Sequence, residues 1–291
     1  MQKYVDLHSH TIASDGELTG EELVNLAIEK SLSAIAVTDH DSFASVKSAL
    51  EFSKGKNIEI ISGIEISCDD PLFDYEKIDI IGLFTDISNR KVQKIVRHIN
   101  DKRDSNKKKI IGKLAKMGYD ITYEDVKKDV KGTFGRPHIA KYLLKKYPDK
   151  FVSVRDVFDR LIGKDKEAFV WTKDRVSIID AIEAIRDANG LSILPHPGIY
   201  KKDHSLTLID FFAENEGDGI ETYYPYHIIC PEYCLDENGN QNMIDFYKKA
   251  AKSKGLLESG GNDHHGNYRP TIGLVKIPYK IVEKLKKALK L

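Results

Sequence analysis

Short apolar runs rich in Val and Ile recur at residues 4–7, 34–38, 58–66, 78–84, 191–194, 219–223 and 255–257. Apolar at consecutive rather than alternate positions, they predict strands buried on both faces. Helical periodicity lies between them. Thr19-Gly20-Glu21-Glu22 opens one helix with Leu23, Leu26, Ala27 and Ile28 as its stripe, and Ser177 caps another with Ile178, Ala181, Ile182 and Ile185 on one side. This alternation predicts an α/β fold with a parallel sheet closed into a barrel. From about Arg90 to Thr172 the β-branched runs stop, and Lys-rich helical text takes over at 95–114, at 139–146 after Pro137, and at 154–162. The expected organisation is a discontinuous barrel, 1–89 and 173–291, interrupted by a mostly helical inserted domain at 90–172.

Composition adds bounds. A chain of 291 residues that is 41% apolar can fill a substantial core. It contains no run of about eighteen uncharged apolar residues, and Met1–His10 lacks the basic-then-apolar design of a secretory leader. A cytoplasmic protein with no membrane association and no evident obligate protein partner is expected. Cys68, Cys230 and Cys234 have no zinc-ribbon spacing and are expected as reduced thiols. The formal net charge is zero, but residues 91–150 carry 18 Lys+Arg against 7 Asp+Glu, leaving the rest of the chain at −11. A basic segment of this kind is either a solvated helix face or a surface for phosphate.

The chemistry concentrates at the ends of the expected strands. Asp6-Leu7-His8-Ser9-His10 closes the first, with Ser14-Asp15-Gly16 just beyond; alternate residues on a strand share a face, so both imidazoles can grip one ion. The second strand runs into Asp39-His40-Asp41, the third ends near Gly63-Ile64-Glu65, and Pro195-His196-Pro197 and Asn262-Asp263-His264-His265 follow two later ones. Each motif alone is commonplace. Five strands delivering ligand types to the rim where parallel barrels build their sites point to a metal cluster. Asp39 and Asp41 are expected to orient the His40 ring; His98, His204 and His264 are not expected as ligands.

The set His8-Ser9-His10, Asp15-Gly16, Thr38-Asp39-His40-Asp41, Glu65, His196-Pro197 and Asp263-x-His265 resembles the PHP family, named for polymerase and histidinol phosphatase. The resemblance implies a distorted (β/α)7 barrel and two or three divalent metal ions (Mn, Fe or Zn). It implies that His8, His10, Glu65 and Asp263 hold one ion, that Asp15, His40 and His265 hold a second, and that Glu65 bridges to a third bound by His196. The third ion's remaining ligand is usually a His, where this chain has Asp79. The implied nucleophile is a metal-bound water or hydroxide attacking a phosphate ester. No Gly-rich phosphate loop and no Gly-x-Ser-x-Gly elbow competes with that chemistry.

Gly135-Arg136-Pro137-His138 and Gly219-Ile220-Glu221-Thr222-Tyr223-Tyr224-Pro225 resemble the branch acting on AMP, on 3′,5′-nucleoside bisphosphates and on the 5′ ends of short RNA. The leading expectation is therefore a phosphoesterase for a nucleotide or short RNA. The alternatives are a phosphatase for a small non-nucleotide phosphomonoester and a non-catalytic binding module. Arg136, with a planar fork suited to phosphate, and His138 are the first substrate-binding candidates, ahead of His227, Arg269 and Lys173. Trp171, Tyr223, Tyr224 and Tyr226 could stack on a base, although core packing explains most aromatics.

Overall fold

The computed structural model describes residues 2–73, 77–130, 134–170, 176–200, 202–233 and 235–290. Trp171, Lys173 and Cys234, singled out above, lie outside the described residues. The chain divides into two compact units, Met1–Val96 with Val176–Leu291, and Arg97–Arg175.

The first unit is built on one eight-stranded mixed sheet. Its strands are β1 (Tyr4–Asp6), β2 (Leu32–Val37), β3 (Glu59–Asp69), β4 (Lys77–Leu83), β5 (Leu191–Leu194), β6 (Gly219–Tyr223), β7 (Leu257–Gly260) and β8 (Ile277–Pro278), in the spatial order β7-β6-β5-β4-β3-β2-β1-β8. Helices α1 (Gly20–Glu29) and α2 (Val46–Phe52) connect the first three strands. Both expected caps form: Thr19 and Glu22 make a reciprocal box at α1, as Ser177 and Asp180 do at the later helix Ile178–Asp187.

The sheet is not wholly parallel. β4 runs antiparallel to both neighbours, β3 and β5. Only residues 70–76 join β3 to β4, too few for the crossover that a parallel pair requires, so the ribbon must double back. Two boundaries also differ from expectation. β3 continues past Glu65 to Asp69, and β7 begins at Leu257 because Gly255, in left-handed conformation (φ 68°), instead terminates the preceding helix Glu237–Lys254.

The sheet is nearly closed. β1 pairs on one side with β2, and its other edge is shared between two partners. Tyr4 and Val5 meet the two-residue β8, whereas beyond the strand Leu7 N–H donates to Gly260 O (3.1 Å), Asp263 N–H to His8 O (3.0 Å) and His10 N–H to His264 O (2.9 Å). Val5, Leu7, Ala34, Ala36, Ile61, Ile81, Leu83 and Ile193 fill the core with Ile281, Val282 and Leu285 of the C-terminal helix Lys280–Ala288. Burying these apolar side chains supplies the main driving force for the unit.

The second unit, with the C-terminal part of α3 (Arg90–Lys116), is helical and has its own core. Ile110, Ile111 and Leu114 of α3 pack with Ile121, Val126 and Phe134, with Ile139, Ala140 and Leu143, and with Phe151, Val157 and Ile162. Its shorter helices are α4 (Tyr123–Lys127), α5 (Arg136–Lys146) and α6 (Val154–Val157), the last running into a π-helical turn, Phe158–Ile162. Among the described residues no helix is long and apolar enough to cross a membrane.

Candidate metal centre

The backbone ladder that closes the barrel also places the side chains. Beyond the strands it continues sideways: Thr38 N–H donates to Ser9 O (2.9 Å), Glu65 N–H to Asp39 O (3.1 Å) and Asp41 N–H to Glu65 O (2.9 Å). The segments after β7, β1 and β2 and the middle of β3 are thus registered by main-chain hydrogen bonds. His8, His10, Asp39, Glu65, His196 and Asp263 are all buried. The mouth carries backbone strain as well, since His196 (φ 33°) and Asp263 (φ 51°) adopt the left-handed region without being glycine.

Four donor atoms stand together at the centre. His8 Nε2 and His10 Nε2 are 3.1 Å apart; Glu65 Oε2 is 3.4 and 3.2 Å from them, and Asp263 Oδ1 is 3.4 and 3.3 Å from them. Donors bound to one ion at about 2.1 Å lie roughly 3.0–3.5 Å apart in octahedral or tetrahedral geometry, so these separations fit a shared cation. Around this set, His10, Asp15, His40 and His265 could hold an ion, as could His40, Glu65 and Asp79, and His8, His196 and Asp263. His40 serves two groups: Nδ1 lies 3.0 Å from Glu65 Oε2, and Nε2 lies 4.0 Å from Asp15 Oδ2. The resemblance joins Asp79 to His196, whereas here Asp79 groups with His40 and Glu65. Its Oδ2 is paired with Lys77 Nζ (3.0 Å), while Oδ1 is buried with no hydrogen-bond partner among the described residues. His196 Nε2 reaches Glu65 Oε1 at 3.3 Å, and its Nδ1 is likewise unpartnered. Buried polar atoms left without hydrogen bonds at a cluster of this donor chemistry fit transition-metal ligation.

The electrostatics are those of a cation site. Burial alone would raise the Glu65 carboxyl, yet His40, His8, His10 and His196 hold it well below the usual carboxylate range. Against the same effect of burial, His8, His10 and His265 hold Asp263 low. Burial opposes charge on His10, but hydrogen bonds to Asp263 and Glu65 push it up to about 10. His40 goes the other way, to about 4, because burial and then Lys77 outweigh Glu65 and Asp79. Asp15, exposed but partly desolvated by its surroundings, is lowered by His265, His40 and His10.

Outer partners fix the ring orientations. Glu221 of β6 lies 3.3 Å from His8 Nδ1 and accepts the His196 N–H at 2.8 Å, which leaves His8 Nε2 facing the cluster. Gly261 allows this approach, since a Cβ there would collide with His8 Cβ and meet Glu221 Oε1. His265 Nδ1 donates to Asp263 O (2.9 Å), aiming Nε2 at Asp15 (3.4 Å). Tyr224 and Arg269 both donate to Asp263 Oδ2, at 2.8 and 2.6 Å, leaving Oδ1 for the cluster. The roles of Glu221 and Tyr224 were not foreseen; the available signal was a carboxylate inside an otherwise buried strand. Glu221→Gln is expected to weaken metal affinity about ten- to a hundredfold, because the amide cannot enforce the His8 tautomer. Metal titration by calorimetry checks this, and an unchanged affinity would contradict the orienting role.

Asp39 and Asp41 do not orient His40. Asp39 accepts from Thr11 N–H (2.7 Å), Thr11 Oγ1 (2.7 Å) and Ser14 Oγ (2.6 Å), pinning the loop that bears His10 and Asp15, and Asp41 accepts from Ser67 N–H (2.9 Å). The Asp39 carboxylate is committed to backbone and hydroxyl donors, and Asp41 Oδ1 to a backbone donor. His264 turns away, taking the Ile272 N–H on Nδ1 (3.3 Å). Among the described residues, His98 and His204 join none of the metal-capable groups. His227 sits in the short helix Tyr226–Ile229 with its Nδ1 buried and unpartnered among the described residues, and its N–H donates to Asn240 Oδ1 (3.2 Å). In the second unit the exposed Arg136 places its guanidinium 5.8 Å from the Phe158 ring and 5.7 Å from the Phe169 ring, and His138 Nδ1 accepts the Gly135 N–H at the start of α5 (3.1 Å).

Comparison with known proteins gives the family. Residues 6–193 match the PHP domain family. A 5′-3′ exoribonuclease from Haemophilus influenzae is 34% identical over 268 residues, 91% of both chains. A 3′,5′-nucleoside bisphosphate phosphatase from Chromobacterium violaceum is 26% identical over 90% of this chain and 87% of its own. A crystal structure of a protein assigned as a metal-dependent phosphoesterase from Bifidobacterium adolescentis superposes with a TM-score of 0.77 at 24% identity, covering 98% of this chain and 96% of that one. The fold and site define a metal-dependent phosphoesterase. The chain belongs to the PHP domain family.

Proposed function

We infer that the chain hydrolyses a phosphate ester of a nucleotide, either AMP, a 3′,5′-nucleoside bisphosphate or the 5′ end of a short RNA, using two or three divalent ions of Mn, Fe or Zn. The observation carrying this reading is the pair of Nε2 atoms on His8 and His10, 3.1 Å apart, with Glu65 Oε2 and Asp263 Oδ1 each 3.2–3.4 Å from both. Ions bound there would acidify water and neutralise charge on the phosphoryl oxygens.

The chain's own residues supply the rest. We assign His8, His10, Glu65 and Asp263 to the central ion and Asp15, His40 and His265 to a second, with Glu65, His196 and Asp79 offered to a third. Glu221 fixes the His8 tautomer. Asp15 is the most exposed of these, its side chain 54% accessible, which suits the position substrate enters. Arg269, partly exposed, commits one donor to Asp263 and keeps further guanidinium N–H groups for a phosphate oxygen. Arg136, His138 and His227 are assigned to substrate on the resemblance alone. The names of the two relatives support a nucleotide or RNA over a small sugar phosphate.

A panel of monoesters tests the substrate class. With manganese present, AMP, a 3′,5′-bisphosphate or 5′-phosphorylated short RNA should exceed histidinol phosphate and sugar phosphates in specificity constant by at least about tenfold, the worth of stacking one base. Failure to release phosphate from any nucleotide, with fold and metal retained, would overturn the reading.

A further inference from the structure

The charge of α3 is unevenly answered along its length. Near its start Lys91 pairs with Glu183 and Asp187, and just past its middle Lys107 and Lys108 share Asp104. Residues 105–116 contain five lysines and no carboxylate. Within that stretch, Lys109, Gly112, Lys113 and Lys116 share one helix face at spacings of three and four, all exposed, and with Phe169 and Val170 they line a groove of about 490 Å³. All six residues belong to the second unit.

Two features separate this groove from an ordinary solvated face. Lys109 and Lys116 make no ion pair among the described residues. Lys113 is held in place, its Nζ donating to the carbonyls of Glu167 (3.1 Å) and Phe169 (2.7 Å), which leaves one N–H of its three free. Lys109 and Lys116 lie about 10 Å apart along the helix axis, farther than a single phosphate group spans. Gly112 leaves the floor open, because a Cβ there would meet nothing within 4 Å. Phe169 lines the groove beside the ammonium groups, and the Arg136 guanidinium lies 5.7 Å from its ring.

We propose that this groove binds the phosphate backbone of single-stranded RNA. It deepens the reading of the chain as an enzyme of nucleotide phosphates, giving it a surface that distinguishes an RNA chain from a mononucleotide.

The test is fluorescence anisotropy of metal-loaded, full-length protein with a short, 3′-labelled, phosphorothioate-linked RNA across a salt series. The variant is Lys109→Gln/Lys116→Gln, both exposed and remote from the unit's core. Affinity should fall about tenfold, and the slope of log K against log salt should become shallower by about 1.4, the counterion share of two single-strand phosphate contacts. AMP hydrolysis by the variant should be unchanged. Removing equal charge from the barrel, as Lys249→Gln/Lys252→Gln, should alter neither affinity nor slope. Unchanged binding in the groove variant, an equal loss in the barrel variant, or equally tight lysine-dependent binding of duplex RNA would each overturn the proposal. If RNA binding depends on the groove lysines but wild-type enzyme releases no phosphate from nucleotides, the groove stands and the substrate reading falls. The opposite pattern retains that reading and removes the groove.

Discussion

Replacing Glu65 by Gln is expected to lower phosphate release by more than about a hundredfold and to reduce bound metal, with little change in overall fold. Outer partners of metal ligands are each worth about ten- to a hundredfold, and the proposed role of Glu65 is that of a ligand itself. Its Oε2 lies within 3.0–3.4 Å of His8, His10 and His40, and its Oε1 is 3.3 Å from His196. Gln keeps the shape but loses the charge, so imidazoles drawn together around a buried carboxylate lose their common anion. Turnover with manganese and elemental analysis of the purified variant read the two effects separately. A variant with wild-type rate and metal content would remove Glu65 from the site.

Chelation should destabilise the protein, and by more as pH rises. Ions at about a thousand times their dissociation constant add roughly 4 kcal/mol. For a chain of this size that corresponds to a fall in Tm of about 10 °C on their removal. The pH dependence follows from His10. In the ion-free protein its pKa is pushed up to about 10, against an ordinary value of 6.5. A group raised in the folded state contributes stability fully below its unfolded pKa and loses it as pH climbs through the folded one, here between about 6.5 and 10. An imidazole bound to an ion has already given up its proton, so the loaded protein escapes that loss, and ion binding itself strengthens as protons become scarcer. Melting curves with and without chelator should therefore diverge from about pH 7 to pH 10. A constant or narrowing gap would contradict the placement of His10 among the ligands.

Much of the candidate site was legible because its donor residues lie in short local motifs. His8-x-His10 shares a face by strand periodicity, and Asp263-x-His265 repeats the spacing after β7. Glu221 was harder to read, since its neighbours in the chain form a buried strand and its partners, His8 and His196, are distant in sequence. Asp39 illustrates the converse error. Adjacency to His40 suggested that it orients that ring, but the strand end turns the carboxylate toward Thr11 and Ser14, across the sheet rather than along it.

The sequence by itself determined the elements and the chemistry on offer: both capping boxes, the strand cores, the Lys-rich helical segment and the roster of His, Asp and Glu at strand ends. Local propensity and periodicity carry that information within a few residues of each position. Only the tertiary structure decided the reversal of β4 and the closure of residues 7–10 against 260–264. It also decided the pairing of Asp79 with His40 and Lys77. Those outcomes depend on which backbone edges meet and how far a short connection can reach, and they set the ångström-scale spacing of donor atoms on which ion binding depends.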